Sequence, residues 1–574
     1  MRTPIHAIHR AKVALMAAGV FVLYGCADEP TALPPATPQL QTTVASAFGA
    51  LEDVPAVTID LPPAPRPWDT DDAALIAALE AEDGHAIVAF KLSARTRTAA
   101  AAGRRAALPA AAFEQGLRLL ERSGAEILYV YRSFGAASVR ISPMLGPDLR
   151  QNPLVDYLEP RQRWELTGAP AGATAGAAMR AALSGQVTPW GISMVRAPEA
   201  WSLSTGTGVK ILIIDTGVGS HEDLPAIPGA NCGGQFGGCD DGPIFHGTHV
   251  AGSFLAQDNT IGVVGVAPGI AGNLVYAWGA CSSTTGGCAT TEIAAGIDFG
   301  KFAGVRVISM SLGGTSFDQG IANAVASAWA TGSIVLVAAA GNLQSVEQGG
   351  SLVYPAALSN VVGVSGVRTD KSFASTSPCP DQSGGTWKSN SGAHVDLAAP
   401  FWALSTVGTN GYEEGCGTSM ATPHVSGSAA LIWAQNSTWT NQQVVDRLFA
   451  TAEDRGASGR DDLFGYGIVD AADAVGVPAP PPLTVAIDGP TQIQPGETCT
   501  WDAAVSDGIA PYSYYWQNDS HPVGTDAFYT GAKLDGSTSS AFQLQVSVTD
   551  SSGRRGFAKI TVLETTSAPR FCFI

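Results

Sequence analysis

At 574 residues the chain is too long for a single hydrophobic core, which predicts several domains. Only 14% of the residues are charged and the formal net charge is −18, so no basic surface is available to bind nucleic acid or an anionic membrane. This balance, with abundant glycine and proline, favours a soluble extracellular protein.

Residues 1–27 have the composition of an export signal. Basic residues precede an apolar stretch, 13–23, that is too short for a stable membrane anchor. Two alternatives remain open at its end: lipid attachment to Cys26, as at a bacterial lipobox, or signal-peptidase cleavage after Ala27. Tyr24 replaces the small residue that is usual in a lipobox. Both alternatives place the protein outside the cytoplasm, either secreted or held at the cell envelope.

The next segment, 28–83, is rich in Ala, Pro and Thr and predicts a tether with little potential to form a core. From 84 to 166 the predicted order of elements is β-α-β-β-α-β, which indicates a ferredoxin-like α+β unit. The Ala- and Gly-rich stretch 167–185 predicts a linker open to proteolytic processing.

From 186 to 476, apolar strands alternate with helical segments, which predicts a mostly parallel sheet flanked by helices. Residues 477–482 form a stiff proline-rich linker. Beyond it, 483–574 shows short alternating strands and no long helix. This last segment resembles bacterial immunoglobulin-like or PKD-type β-sandwich modules.

Four polar residues in the region 186–476 follow or open predicted elements. Asp215 ends an apolar strand, His246 and Ser419 each open a helix of small residues, and Asn342 ends another strand. Taken singly they could be a strand-end cap, a core histidine, a helix N-cap and a turn residue. Together they supply the orienting acid, base, nucleophile and oxyanion donor of acyl transfer by serine. Because the base must be neutral, we expect activity to rise toward neutral or alkaline pH.

Five short motifs lie at or between these residues, in the chain order DTG, HGTHVAG, SLGG, AAAGN and GTSMATPHVSG. The motifs and their order along the chain resemble those of the subtilisin-like serine proteases, the subtilases. The resemblance implies a three-layer α/β domain in which His249 is structural. It also implies that 84–166 is an inhibitor-type propeptide, which assists folding and blocks the cleft until self-cleavage near Gly185; the alternative is an unrelated small α+β domain.

The resemblance also implies how substrate is held. Ser311, Leu312 and Gly313 match the family's edge strand, which pairs with an extended peptide and gives broad endopeptidase action. Val353 stands where a glycine often occurs, and we expect it to make the primary specificity pocket shallower.

A structural Ca²⁺ site is a further implication of the resemblance, with a calcium-free turn as the alternative. An oxygen set with one or two charges suits this ion. The matching ligands are the side chains of Gln186, Asp223 and Asn259 and the carbonyls of Gln257, Ile261 and Val263.

Nine cysteines are present, and either form of signal processing removes Cys26 from the disulfide count. An even number then remains, as is typical of an oxidising compartment. The spacing is poor for a metal site. Proximity and domain membership predict the pairs Cys232/Cys239, Cys281/Cys288, Cys379/Cys416 and Cys499/Cys572.

These patterns predict a monomeric serine endopeptidase whose partners are protein or peptide substrates and its own propeptide. A different class of function would be a noncatalytic adhesion protein that keeps the subtilase fold beneath a displayed β-sandwich. An esterase or peptide ligase that uses the same triad is a third hypothesis, since only the acceptor of the acyl group differs.

Overall fold

The structure is a computed structural model. It describes residues 60, 65–91, 110–167, 169–170, 185–242, 245–342, 352–375, 377–378, 386–477, 483–508, 510–518, 521–532, 541–550 and 555–565. Within these ranges no helix has the length and apolar character needed to cross a membrane. Outside them lie the predicted signal segment 1–27, most of the predicted tether and processing linker, residues 478–482, and Cys26, Cys379 and Cys572.

The N-terminal unit is an antiparallel four-stranded sheet with helices. The strand order is β2-β3-β1-β4, and the neighbouring strands pair antiparallel. Its elements are α1 Pro67–Thr70, α2 Asp72–Ala81, β1 His85–Phe90, α3 Ala110–Arg122, β2 Glu126–Tyr131, β3 Ala136–Arg140, a 3₁₀ turn Pro143–Leu145, α4 Gly146–Gln151 and β4 Val155–Pro160.

Helices α1 and α2 lie inside the segment 28–83 that the sequence predicted to be a tether. Asp71 caps α2 by accepting from the backbone of Ala73 and Ala74. Leu75 and Leu79, four residues apart on one face of α2, are fully buried in the core of the N-terminal unit. The prediction was therefore wrong for these residues, because a composition dominated by Pro, Ala and Thr concealed one short helix with two core leucines.

The central unit is built on a seven-stranded sheet of order β17-β14-β13-β11-β7-β9-β8, in which every neighbouring pair is parallel. This confirms the predicted parallel sheet. The strands are β7 Ile211–Asp215, β8 Cys232–Gly233, β9 Val275–Gly279, β11 Val307–Met310, β13 Val335–Ala339, β14 Val362–Val367 and β17 Leu397–Pro400.

Helices cover both faces of this sheet. Helix α8 packs closely on one face of β7. A Cβ at its Gly296 would contact Ile214, and a Cβ at its Gly300 would contact Leu212. Helix α7 lies against Asp215, whose side chain points to the opposite face of the strand. The helices of this unit are α5 Trp190–Met194, α6 Ala197–Ala200, α7 His246–Leu255, α8 Thr290–Ala303, α9 Gln319–Trp329, α10 Thr418–Gln435, α11 Asn441–Ala450 and α12 Ala471–Ala474, with 3₁₀ turns Gly229–Asn231 and Gly272–Leu274.

Short strands connect the N-terminal and central units. Two three-stranded sheets, β10-β5-β12 and β18-β19-β6, each contain one strand from the segment that follows the N-terminal sheet. The strands are β5 Arg163–Leu166, β6 Ala169–Pro170, β10 Gly287–Ala289, β12 Leu312–Gly313, β18 Trp402–Val407 and β19 Gly411–Cys416; β15 Ser377–Pro378 pairs with β16 Thr386–Trp387.

The C-terminal unit consists of two mainly antiparallel sheets, β20-β22-β25 and β21-β27-β26-β23-β24, as the alternating sequence predicted. Trp501, Trp516 and Phe542 are fully buried in its core. Its strands are β20 Thr484–Asp488, β21 Gln492–Ile493, β22 Cys499–Ser506, β23 Ser513–Asn518, β24 His521–Gly524, β25 Phe528–Gly531, β26 Ala541–Thr549 and β27 Arg555–Glu564.

Two of the predicted disulfides are present, Cys232–Cys239 and Cys281–Cys288. Cys416 and Cys499 are also disulfide-bonded. Their predicted partners lie outside the described residues, so these two pairings stay predictions.

Candidate functional site

Asp215 and His246 meet at the carboxyl end of β7. The Oδ1 atom of Asp215 lies 2.8 Å from Nδ1 of His246, and both side chains are fully buried. The backbone N–H of Thr216 donates to the same carboxylate oxygen at 2.7 Å, which holds the carboxylate toward the imidazole. Gly247 lets helix α7 begin this close to the strand, since a Cβ there would overlap the carbonyl of Gly217. The pair can therefore orient one tautomer of His246.

Ser419 is the second residue of α10 and is also buried. Its Oγ lies 3.0 Å from the carbonyl oxygen of Ser311 and 3.0 Å from Oγ1 of Thr167. Nε2 of His246 is buried and has no hydrogen-bond partner among the residues that the structure describes. The base therefore keeps a free acceptor, while the nucleophile is engaged elsewhere; such contacts commonly tighten only in the reacting complex.

The side chain of Asn342 and the start of α10 place two hydrogen-bond donors beside Ser419. Its Oδ1 accepts from the backbone N–H of Thr418 at 2.9 Å, which turns Nδ2 outward. That Nδ2 donates to the carbonyl oxygen of Thr167, and the backbone N–H of Ser419 donates to the same oxygen at 3.0 Å. Two donors thus converge on one carbonyl beside the nucleophile, the arrangement that stabilises a tetrahedral oxyanion.

The segment that carries Thr167 lies in the cleft as an extended strand. Strand β5 pairs antiparallel with β12, where Leu312 lies opposite Leu166 and Gly313 opposite Glu165. On its other side β5 pairs with β10, where Cys288 lies opposite Trp164. Ser311, Leu312 and Gly313 therefore border the strand in the cleft, and their pairing with a substrate stays a prediction.

Strand β10 was not predicted, because its three residues carry no alternation that sequence reasoning could use. It belongs to a loop closed by the disulfide Cys281–Cys288. The backbone N–H of Cys281 also donates to the carbonyl of Asp215 at 3.0 Å. The disulfide thus fixes one edge of the groove to the strand that carries Asp215.

Beyond the oxyanion hole, Ala169 and Pro170 pair with β19 at Cys416 and Gly415. The chain is therefore held on both sides of the peptide bond that follows Thr167. Self-cleavage near Gly185 was expected, yet the structure places Thr167 at Ser419. The difference has a physical cause: strand pairing with β10, β12 and β19 selects the bound segment, and no local pattern reports that pairing.

Val353 lies in the pocket beside Thr167. A Cβ at Gly313 would lie 2.6 Å from Cγ1 of Val353 and 3.6 Å from Cγ2 of Thr167, and a Cβ at Gly341 would lie 2.9 Å from Cγ2 of Val353. The two methyl groups of Val353 thus occupy the space between two glycine walls. Farther along the groove, the buried indole of Trp164 lies directly on Gly314, where any Cβ would overlap it.

A second buried carboxylate, Asp241, was missed. Its Oδ2 accepts from the backbone N–H of Thr248 at 2.6 Å, and its Oδ1 pairs with the hydroxyl of Thr216. That hydroxyl also lies 3.1 Å from Oδ1 of Asp215. Burial raises the pKa of Asp241 to about 7. The hydroxyl of Thr216 therefore lies between the two carboxylates, with one proton to donate. Two adjacent aspartates shortly before His246 were the only signal in the sequence.

His249 is part of the packing, as expected. Its Nε2 lies 3.0 Å from the carbonyl of Glu413, and burial lowers its pKa to about 4, so the ring is neutral.

The predicted calcium ligands lie together beside α7. The side-chain amide of Asn259 donates to Oδ1 of Asp223 at 2.8 Å, and the backbone N–H of Val263 donates to Oδ2 at 2.8 Å. The amide of Gln186 donates to the carbonyl of Gln257 at 2.7 Å and to that of Val263 at 3.4 Å. Burial raises the pKa of Asp223 despite the hydrogen bonds from Val263 and Asn259, so a cation beside this carboxylate would favour its charged form.

This set fits Ca²⁺ once the two side-chain amides turn to present oxygen, because it then offers carbonyl and amide oxygens and one carboxylate. Ile261 belongs to the same turn, and its N–H donates to Oδ1 of Asn259 at 2.7 Å. Over the described part of the chain, no group of three or more His, Cys, Asp or Glu residues could hold a metal. A soft-metal site is therefore not indicated there.

Comparison with known proteins gives the following similarities. Residues 206–467 match the subtilase family model. The alkaline protease of Alkalihalobacillus alcalophilus is 35% identical over 351 residues, which cover 61% of this chain and 81% of that protein. Subtilisin Savinase of Lederbergia lenta is 38% identical over 291 residues, 50% of this chain and 99% of that protein. Alkaline elastase YaB of Bacillus sp. (strain YaB) is 37% identical over 291 residues, 50% of this chain and 70% of that protein.

Proposed function

Because the chain belongs to the subtilase family and is a subtilisin-like serine endopeptidase, we propose that it is exported as a zymogen that cleaves its own chain between Thr167 and Gly168. One observation carries this proposal: the carbonyl of Thr167 accepts from both Asn342 and the N–H of Ser419. This carbonyl is the one that the nucleophile would attack. Residues up to Thr167 would then remain bound as a product that blocks the cleft.

The proposed chemistry uses the residues at hand. Ser419 turns from the Ser311 carbonyl toward Nε2 of His246, which takes its proton as Oγ attacks the Thr167 carbonyl carbon. Asp215 holds the imidazole and stabilises its charged form. Asn342 and the Ser419 N–H stabilise the oxyanion. His246 then protonates the leaving amine of Gly168, and water hydrolyses the acyl-enzyme.

The N-terminal unit acts as the inhibitor in this proposal. Its strand order is that of a ferredoxin-like unit, and its β2 edge contacts α8 of the protease. The hydroxyl of Tyr131 donates to the carbonyl of Thr291 at 2.8 Å, and that of Tyr129 donates to Asp298 at 3.2 Å. These contacts and strand β5 support an intramolecular inhibitor that covers the cleft.

The bound segment also indicates the substrate preference of the protease. The pocket beside Thr167 is filled at its base by Val353, so a small or β-branched residue is favoured before the cleaved bond. Trp164, three residues earlier, occupies a site whose floor is Gly314, so a large aromatic side chain is favoured there. The substrate class is therefore a protein or peptide with an aromatic residue followed, three positions later, by a small one.

Three further features belong to the proposal. Gln186, Asp223, Gln257, Asn259, Ile261 and Val263 hold a structural Ca²⁺. The C-terminal unit, with its two antiparallel sheets around a tryptophan-rich core, is an immunoglobulin-like or PKD-type module. The charge and cysteine content support an extracellular or envelope location.

The proposal is tested by mass spectrometry of the chain after expression in a secreting host. Wild type should yield one product ending at Thr167 and another beginning at Gly168, whereas Ser419→Ala should stay uncut at this bond. A cut only near Gly185 would contradict the proposed site. A fluorophosphonate probe should label the matured wild type and not Ser419→Ala; absence of labelling would instead favour the noncatalytic adhesion protein. Ester substrates in place of peptides test for an esterase, and added amines that can accept the acyl group test for a peptide ligase.

A further inference from the structure

The segment before the ferredoxin-like unit contributes to its core. We define the N-terminal arm as residues 60–81, of which the structure describes Asp60 and 65–81. Leu75 and Leu79 of this arm are fully buried. A Cβ at Gly146 would lie 2.5 Å from Cδ1 of Leu79, which shows how closely α2 and α4 pack. Helix α2 of the arm is therefore folded onto the ferredoxin-like unit and not merely attached to it.

The arm also neutralises a buried charge at the contact with the protease. Glu159, at the end of β4, has only 1% of its side chain exposed, and its carboxylate accepts from the backbone N–H groups of Gln319 and Gly320 at 3.2 and 3.1 Å. These groups open helix α9, where a negative charge is favoured. Nη1 of Arg66 forms an ion pair with the same carboxylate. A buried carboxylate needs such a partner, since desolvation is costly.

Arg66 is held in place by the first turn of the arm. Its guanidinium lies over the ring of Trp68, 5.4 Å from the centroid, and its backbone N–H donates to Asp69 at 2.8 Å. Arg150 of α4 fastens the same turn by donating to the carbonyl of Trp68 at 2.7 Å. The position of the counter-charge therefore depends on the folded arm.

The arm contacts the protease directly through Asp60. Its carboxylate accepts from the hydroxyl of Ser359 at 2.7 Å and from the backbone N–H of Ser359 at 3.0 Å. Its carbonyl accepts from the side-chain amide of Gln319 at 3.1 Å. Ser359 precedes β14 and Gln319 opens α9, so one residue of the arm joins two separate elements of the protease.

We propose that the N-terminal arm is a second part of the intramolecular inhibitor and that Gln319 and Ser359 form its docking site on the protease. This inference rests on the proposed zymogen function and adds to it an interaction surface that recognises an acidic side chain. After cleavage at Thr167 the inhibitor is held without a covalent bond, so the arm contacts slow its release. Loss of these contacts shortens the lag before free protease appears.

The test uses the full chain. Wild type, Asp60→Asn, Ser359→Ala and the double variant are each secreted and purified as the cleaved complex. After dilution, hydrolysis of a chromogenic peptide is followed until the rate is constant. Asp60→Asn should shorten the lag about 5- to 10-fold, as expected for loss of partly exposed hydrogen bonds to a charged group. Ser359→Ala keeps its backbone N–H and should shorten the lag about 2- to 5-fold, again at the scale of one hydrogen bond.

The double variant shows whether Asp60 and Ser359 act through their mutual hydrogen bonds or independently of each other. If Asp60 and Ser359 act on each other, its lag should be close to that of Asp60→Asn alone. Matched controls are Asp148→Asn, an exposed aspartate on α4, and Ser202→Ala, an exposed serine bonded within its own turn to the carbonyl of Glu199. Neither control should change the lag, and the final rate per active site should be equal in all variants.

The outcomes separate this inference from the proposal on which it rests. If the wild-type complex shows a lag and the Asp60→Asn and Ser359→Ala complexes show the same lag, the docking site alone is overturned. Wild-type chain that is uncut at Thr167, or active without a lag, would instead overturn the zymogen proposal.

Discussion

The side chain of Val353 should set the size of the residue accepted before the cleaved bond. Val353 is 2% exposed, and its two methyl groups lie between Gly313 and Gly341. Replacing it with glycine removes both methyl groups and joins the two glycine walls into a deeper pocket. We therefore expect Val353→Gly to admit an aromatic side chain that the wild type excludes.

The magnitude follows from the area that becomes available. Burying a phenylalanine side chain contributes about 1.5–3 kcal/mol, which corresponds to about a 10- to 150-fold gain in kcat/KM for a Phe peptide. A Thr peptide should lose only a few-fold, because it gives up the contact of one methyl group. Val353→Ala should fall between these limits.

The assay compares two peptides that differ at one position, Trp-Glu-Leu-Thr and Trp-Glu-Leu-Phe, each with a chromogenic leaving group. Because losing a buried valine can also cost about 2–4 kcal/mol of stability, rates are expressed per titrated active site. The ratio of the two kcat/KM values is then independent of how much protein is folded. A wild type that cleaves the Phe peptide as well as the Thr peptide, or a ratio unchanged in Val353→Gly, would refute this account of the pocket.

Three further predictions concern catalysis, calcium and pH. Asn342→Ala should lower kcat about 100- to 1000-fold with little change in KM, measured on the Thr peptide, because one oxyanion donor is lost; an equal rise in KM would argue against that role. At a Ca²⁺ concentration one hundred times Kd, bound Ca²⁺ should stabilise the wild type by about 3 kcal/mol, and EGTA should remove this stabilisation. Thermal unfolding measures the change, and Asp223→Asn should abolish the response. Burial under the inhibitor, despite hydrogen bonds from Ser133 and Tyr129 and the nearby charge of Lys301, raises the pKa of Asp298. On release of the N-terminal unit Asp298 loses its contacts with Ser133 and Tyr129, so we expect its pKa to fall toward the ordinary value and the carboxyl group to lose a proton. Inhibition should be strongest below the ordinary pKa, near 4, and weaken as the pH rises through the raised value. The cleaved complex is incubated at a series of pH values, and the lag is then measured at one common assay pH. The lag should shorten with rising incubation pH in wild type and much less in Asp298→Asn.

Much of the site could be predicted because its signals are local. A short apolar run ending in Asp215, and small-residue helices opened by His246 and Ser419, each need only a few neighbouring residues to specify them. In a parallel sheet such ends meet at one edge, so the order of the motifs already implied a common site. Asn342 was found in the same way, at the end of β13.

What occupies the site could not be predicted in this way. Thr167 reaches Ser419 only because β5 pairs with β10 and β12, which lie more than a hundred residues further along the chain. Asp241 was missed because its importance comes from burial beside Asp215, which its neighbours in sequence do not reveal.

The sequence by itself determined the parallel sheet and the family and proposed the catalytic residues, since these depend on short-range patterns of apolar and small residues. Only the tertiary structure decided that α2 belongs to the core of the N-terminal unit, that Asp60 contacts Ser359, and that Thr167 is the residue that lies at Ser419. The physical reason is that strand pairing, burial and charge neutralisation between distant segments are set by the whole fold, because each depends on partners that lie far apart along the chain.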